Sequence, residues 1–275
     1  VKIAIIGCGN LGTSLARGLL RSKEHDLRLR LCDRTPAKTD GLLGEFLGAE
    51  IYTTLDPREA VKGADVVVIA VKPKDMDETL EHIRAALGAD TLLVSCASGI
   101  EVSYIEEALG RKIAVARAMP NTAVSVAAGT TGLFLGQHCD VKRDEARLNR
   151  VFAILSDCRV VESEDVLHAV TALSGSGPAF VLLMLEAMVE AAVRAGLPRK
   201  EAIFFANGAF KAAHALVAHG DFSPSELREH ITSPAGTTAD GLYRLEKAGF
   251  RGIVMDAIDE TILRSVDLGL MSMGR

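Results

Sequence analysis

The chain opens Val1-Lys2-Ile3-Ala4-Ile5-Ile6-Gly7-Cys8-Gly9-Asn10-Leu11-Gly12, an apolar strand-like run passing straight into Gly-x-Gly-x-x-Gly. Glycine-rich turns occur in many loops, so it is the context, an apolar run before the pattern and an amphipathic stretch after it, that lets each glycine be read against a different steric demand. Gly7 permits the tight turn, Gly9 lets the backbone approach a pyrophosphate, and Gly12 lets helix and strand pack closely. The helix expected over residues 11–21 then aims its free amides, Asn10 and Leu11 among them, at the phosphates. A second apolar run at 27–32 ends on Asp33, about twenty residues beyond Gly12, where an acid that accepts from ribose hydroxyls belongs. Arg34 pulls the other way, since a guanidinium can pair with a 2′-phosphate that the Asp33 carboxylate repels. The pattern implies a dinucleotide held by Gly7, Gly9, Asn10, Leu11, Gly12, Asp33 and Arg34, with NADPH and NADH both expected to work.

The next hundred residues keep the same alternation. Residues 65–70, 91–95 and 113–116 read as buried parallel strands separated by helical patterns such as 76–87, and Pro73 and Pro120 interrupt the chain just beyond two strand ends. After 159–161 the strand signals stop, and helices are expected at 164–173, 178–195, 198–218, 224–231, 238–248 and 252–268. The expected fold is therefore α/β: a doubly wound, Rossmann-type dinucleotide-binding domain over 1–161, followed by an all-helical domain over 162–275. Ser223-Pro224-Ser225-Glu226 has the layout of a capping box, a structural device only. The helix at 178–195 is apolar almost all round, and a partner subunit is its natural cover.

Composition narrows the partners. Thirty-one Lys and Arg against thirty-six Asp and Glu, with no Trp and three Tyr, offer neither a basic patch nor stacking platforms, so nucleic acid is not expected. The five cysteines are odd in number and contain no Cys-x-x-Cys, which suits reduced core thiols in the cytoplasm. The opening on a core strand, with no export signal before it, points the same way. The apolar run 178–185 is broken by Glu186, Glu190 and Arg194, short of a membrane span of about twenty residues. His214 and His219 stand too far out of phase to share a metal on one helix face, and no metal is expected.

Two glycine-rich interruptions carry the remaining chemistry. Ser174-Gly175-Ser176-Gly177-Pro178 and Thr232-Ser233-Pro234-Ala235-Gly236-Thr237-Thr238 both fall at expected helix starts. In the second, backbone amides converge without bulky side chains where the helix dipole adds positive potential, which suits a carboxylate. Read from the residues alone, a turn between helices accounts for the first better than a ligand site does, and an ordinary helix start accounts for the second.

These two segments, with Met119-Pro120-Asn121-Thr122 and Val71-Lys72-Pro73, resemble the pyrroline-5-carboxylate reductases, and the resemblance runs the whole length. It implies a cytosolic enzyme that reduces the C=N bond of Δ1-pyrroline-5-carboxylate to proline with NADPH or NADH. It implies a homodimer built on the helical domain, with further assembly into rings such as decamers. By position, Gly236, Thr237 and Thr238 would hold the substrate carboxylate, and the Thr238 hydroxyl, the catalytic candidate, would face the ring nitrogen. Ser174, Gly175, Ser176 and Gly177 would shape the floor of the substrate site. Val71, Lys72, Pro73, Met119, Pro120 and Asn121 would line the cofactor near its nicotinamide half. Ala123 and Ala235 depart from the family, which usually has proline and glycine there, yet neither removes a donor.

A protonated imine is already electrophilic, so positioning carries most of the catalysis, and no His or Lys acid is needed. A hydroxyacid dehydrogenase of similar layout must move a proton on an alcohol oxygen, usually with a lysine early in the helical domain. No lysine stands between Lys142 and Lys200. A non-catalytic nucleotide sensor would keep the opening fingerprint without needing Thr238 or the Ser174–Pro178 segment.

Overall fold

A computed structural model describes residues 1–22, 26–272 and 274. Among them, strands β1 (Lys2–Ile6), β2 (Arg28–Cys32), β3 (Ile51–Thr54), β4 (Val66–Ile69), β5 (Leu92–Ser95), β6 (Ala114–Pro120), β7 (Gly129–Leu135) and β8 (Ser156–Val160) form one sheet in the order β3-β2-β1-β4-β5-β6-β7-β8. The first six are parallel, and the order reverses between β1 and β4, the switch point at which α/β sheets bind ligands. The Rossmann-type expectation for this half holds.

These strands read as continuous apolar runs because both faces are covered. Ile3 and Ile5 of β1, with Val66 and Val68 of β4, point to one face, where Leu15 and Leu19 of helix Asn10–Arg21 and Leu148 and Phe152 of helix Val141–Phe152 cover them. Ala4 and Ile6, with Val67 and Ile69, point to the other, under Met76, Leu80 and Ile83 of helix Met76–Ile83 and Ile105 of helix Val102–Leu109.

The last two strands were not anticipated in this form. β7 runs antiparallel to β6, pairing Pro120 with Thr131, so Pro120 belongs to the strand rather than lying beyond it. The link 121–128 holds one short 3₁₀ turn, Thr122–Val126, and is too short for the crossover of about a dozen residues that a parallel neighbour requires. β8 then returns parallel to β7 after helix Val141–Phe152.

The chain divides by contacts into Val1–Ser176 with Glu260–Arg275, and Gly177–Asp259. The end of the sheet signals at 161 is real, but residues beyond it stay with the sheet unit for a specific reason. Arg117, in the middle of β6, is 1% exposed, and its only carboxylate partner among the described ion pairs is Glu164, with Nη1 to Oε1 at 2.9 Å. The same oxygen accepts the Val102 N–H at 2.8 Å. From the other end of the chain, Ser265 accepts or donates to Ser98 at 2.9 Å and to His168 Nδ1 at 3.0 Å. Four residues on, Gly269 lies against Gly99, so close that a Cβ on either would strike the other's backbone.

The second unit is helical: Gly177–Arg194, Arg199–His219, Pro224–Ile231, Thr237–Lys247 and the start of Phe250–Ser272. The capping box forms, with the Ser223 N–H donating to Glu226 Oε2 at 2.8 Å. Its buried apolar cluster comprises only Val189, Ala202 and Ala206 among the described residues, while Leu182, Leu183, Phe204, Phe205, Ile253 and Met255 are 61–69% exposed. So many exposed large apolar side chains point to self-association.

The apolar stretch around 178–185 is longer than that run by itself suggests. The helix containing 178–185 runs unbroken over Val166–Arg194, with a mean hydropathy of 1.6 in its most apolar window, so by length and composition it is long and apolar enough to cross a membrane. The charges at Glu186, Glu190 and Arg194 lie at its far end and do not shorten the apolar stretch upstream.

Replacing Glu164 by Ala strands a buried guanidinium and the Val102 amide together. Chemical denaturation is expected to show a loss of about 3–5 kcal/mol. Replacing both partners, Arg117→Met with Glu164→Leu, should recover much of it, and a double variant no more stable than Glu164→Ala would show that the loss is not one of charge pairing.

Candidate functional site

The geometry begins where β1 ends. Gly7 adopts φ +93, closed to ordinary side chains, and its N–H donates to the Cys32 carbonyl at 2.8 Å. A Cβ at Gly7 would stand 2.9 Å from the Ala70 carbonyl, and one at Gly12 would strike the Gly7 carbonyl oxygen. At Gly9 nothing lies within 4 Å of that position, so the space left by its missing side chain is open to a ligand. Helix Asn10–Arg21 starts here with no side-chain cap and no acid in its first turn, leaving its leading amides to an anion. The observed backbone thus fits a pyrophosphate.

A cleft of about 400 Å³ opens beside this turn at the ends of β1, β2 and β4. Of the expected cofactor residues, Gly7, Gly9, Asp33, Arg34, Val71 and Lys72 line it. Asn10, Leu11 and Gly12 form the helix start beside it, and Pro73 begins the 3₁₀ turn Pro73–Asp75. Met119, Pro120 and Asn121 do not line it, because β6 stands two strands beyond β4. The Asn121 side chain is engaged elsewhere: Oδ1 accepts the Ala123 N–H at 3.1 Å and Nδ2 donates to the Ser174 carbonyl at 3.2 Å.

Asp33 is 8% exposed and closely held. Oδ2 accepts the Cys8 N–H at 2.8 Å, Oδ1 accepts the Thr35 N–H at 2.8 Å, and Lys38 Nζ lies 3.2 Å from both oxygens. Burial alone would raise the carboxyl's pKa, but the Thr35 and Cys8 amides and the Lys38 ammonium outweigh it and hold the group below the usual carboxylate range. Sequence reasoning missed Lys38, although its place in the first turn of helix Pro36–Glu45 returns its amine to the end of β2. Arg34 reaches away from the ribose position, to Asp75 at 3.1 Å and Glu78 at 3.5 Å. Two thiols border this turn, and burial pushes Cys8 up to about 12 and Cys32 to about 11, leaving both protonated and unreactive.

Ser174-Gly175-Ser176-Gly177-Pro178 is neither a turn nor a helix start. Residues Thr171–Ser176 form a π-helical stretch inside the continuous helix Val166–Arg194. Pro178 explains part of this: it has no N–H to offer the carbonyl four residues back, and its ring crowds that carbonyl. The carbonyl is that of Ser174, and it accepts from the Asn121 side-chain amide. Widened turns of this kind recur at functional sites.

In the second unit, Ser233–Gly236 closes a turn, with the Gly236 N–H donating to the Ser233 carbonyl at 3.0 Å. Ala235 sits at φ +56, a left-handed conformation in which glycine is the unstrained choice. Gly236 caps helix Thr237–Lys247 without a side-chain bond, leaving the first amides to a ligand. A Cβ at Gly236 would stand 2.5 Å from Ser233 Oγ, so a larger residue there would have to turn the Ser233 hydroxyl aside. Thr238 lines an apolar hollow of about 340 Å³ with Leu216, Val217, Leu227, Ile231 and Leu242; Thr237 does not.

Comparison with known proteins places these features in a family. Residues 164–268 match the family model described as pyrroline-5-carboxylate reductase dimerisation, and residues 2–99 match one described as NADP oxidoreductase, coenzyme F420-dependent. The chain is 34% identical over 270 residues to the pyrroline-5-carboxylate reductase of Corynebacterium melassecola, covering 97% of this chain and 98% of that one. The Escherichia coli enzyme of that name is 33% identical over 268 residues, with 97% and 98% covered. A solved pyrroline-5-carboxylate reductase from Coxiella burnetii superposes with a TM-score of 0.86 at 32% identity, covering 97% of each chain. That of Plasmodium falciparum, with NADP bound, gives 0.87 at 26% identity and covers 98% of each. With the glycine turn, the uncapped helix starts and the exposed apolar helices in place, these similarities assign the chain to the pyrroline-5-carboxylate reductase family.

Proposed function

We infer that the chain reduces the C=N bond of Δ1-pyrroline-5-carboxylate to L-proline with NADPH or NADH. The observation that carries this reading is identity of about a third, over nearly the whole chain, to enzymes of that name, joined to a cleft whose backbone fits a pyrophosphate. A dinucleotide held here would supply a hydride to the carbon of the protonated imine, whose C=N electron pair passes to the nitrogen and leaves it a neutral amine.

The chain's own contribution is placement. The amides of Asn10, Leu11 and Gly12, reached across Gly7 and Gly9, would hold the pyrophosphate, with Asp33 and Arg34 at the ribose end and Val71, Lys72 and Pro73 further along. Met119, Pro120 and Asn121 would bound the nicotinamide half; Asn121 does so indirectly, by fixing the π-helical stretch through Ser174. The amides at Gly236, Thr237 and Thr238 would take the substrate carboxylate, and the apolar hollow beside Thr238 suits the methylenes of a small ring. The Thr238 hydroxyl would orient the ring nitrogen, while Ser174, Gly175, Ser176 and Gly177 would close the floor of the substrate site. A catalytic site of this kind gains rate chiefly from orientation. The lack of a lysine between Lys142 and Lys200 disfavours a hydroxyacid dehydrogenase.

The same reading makes the protein a homodimer, through the exposed apolar residues of helices Gly177–Arg194, Arg199–His219 and Phe250–Ser272, with decameric rings as the larger assembly. That interface, rather than lipid, would cover the long apolar helix. Five free thiols suit the reducing cytoplasm.

Purified protein is expected to oxidise NADPH or NADH steadily with pyrroline-5-carboxylate and to yield proline; oxidation of a 3-hydroxy acid with no turnover of the imine would refute the assignment. Sedimentation at assay concentration should find no active monomer. Thr238→Ala should lower kcat by a few-fold to about a hundredfold, the range of one hydrogen bond worth about 0.5–3 kcal/mol, with little change in dinucleotide affinity. Thr238→Ser should retain much of the activity. An unaltered kcat and kcat/KM in a folded Thr238→Ala protein would remove the hydroxyl from the mechanism.

A further inference from the structure

An acid at the end of the second strand ordinarily selects against a 2′-phosphate, and Asp33 occupies that position. Its surroundings change that logic. A carboxylate offers about four acceptor positions, and here they are filled by the Cys8 amide, the Thr35 amide and two contacts from Lys38. A ribose diol can reach these oxygens only if Lys38 leaves. Lys38, by contrast, is half-exposed on the wall of the cleft, and its ammonium has a third donor to give while it stays on Asp33.

We propose that Lys38, seated on Asp33, is the residue that admits a 2′-phosphate, so that the acid expected to exclude NADPH serves as the fixed base for the cation that binds it. The inference rests on the reading of this cleft as an NAD(P)H site and adds which residue discriminates between the two cofactors. Arg34 is the more obvious candidate from sequence, but it is 71% exposed and turned toward Asp75 and Glu78. A phosphate must draw it off two carboxylates, whereas Lys38 can donate to one while it stays on Asp33. NADH gains Asp33 as a ribose acceptor only by displacing Lys38, so removing the lysine should move the two affinities in opposite directions.

The test is equilibrium titration of the intact protein with NADPH and with NADH, read by cofactor fluorescence, for wild type, Lys38→Met, Lys38→Gln and Arg34→Met. The ratio of the NADPH Kd to the NADH Kd is expected to rise at least tenfold in both Lys38 variants, through weaker NADPH and tighter NADH binding, and to rise less in Arg34→Met. A smaller rise in the Lys38 variants, equal weakening of both cofactors, or a larger effect from Arg34→Met would overturn the proposal. Wild-type protein that bound neither cofactor would overturn the dinucleotide reading itself.

Discussion

The cofactor end of this molecule depends on one close approach, that of Gly12 to the Gly7 carbonyl. With no side chain at position 12, the first helix can start directly above the end of β1, and its leading amides then face the space left open at Gly9. That placement also brings the Cys8 amide within reach of Asp33 at the end of β2. Two neighbouring loops are thereby tied through one carboxylate. The geometry of this turn is a product of packing in the sheet unit.

A second constraint is the treatment of charge in the interior. Asp33 is covered yet kept ionised by amides and an ammonium, and Arg117 is almost wholly covered and answered by Glu164. Neither charge could be tolerated bare. Each pairing joins chain segments that local propensity would leave apart: Asp33 holds the fingerprint turn, and Arg117 holds the entrance to the helical half.

Much of this was legible in the sequence because it is local. The glycine fingerprint, the apolar runs of β4 and β5 and the Ser223 capping box are set by residues within a few positions of one another, and each formed. β7 was not read, since Gly129 and Gly132 dilute its apolar signal and its direction follows from the length of the preceding link. The π-helical stretch looked like a turn because Gly175, Gly177 and Pro178 are also turn residues; the Asn121 amide on the Ser174 carbonyl is a contact that spacing does not show. At the candidate site, the positions of Gly7, Gly9 and Asp33 on the cleft wall followed from spacing. The neutralising role of Lys38 and the diversion of Arg34 are side-chain choices among several charged neighbours, which spacing does not decide.

The return of residues 260–272 to the sheet unit bears on how the chain assembles during synthesis. The Ser98 to Ser265 contact spans 167 positions, and the Gly99 to Gly269 approach beside it spans a similar length. A ribosome adding about 5–20 residues per second leaves the loop after β5 waiting roughly ten to thirty seconds for its partner helix. During that interval the strands and their covering helices can form, but the surface around Ser98 and Gly99 stays unsealed, and such non-local closure is slow. The nascent chain therefore passes through a state in which a nearly complete nucleotide fold displays both this gap and the apolar helices that follow it, the period in which a chaperone would find it.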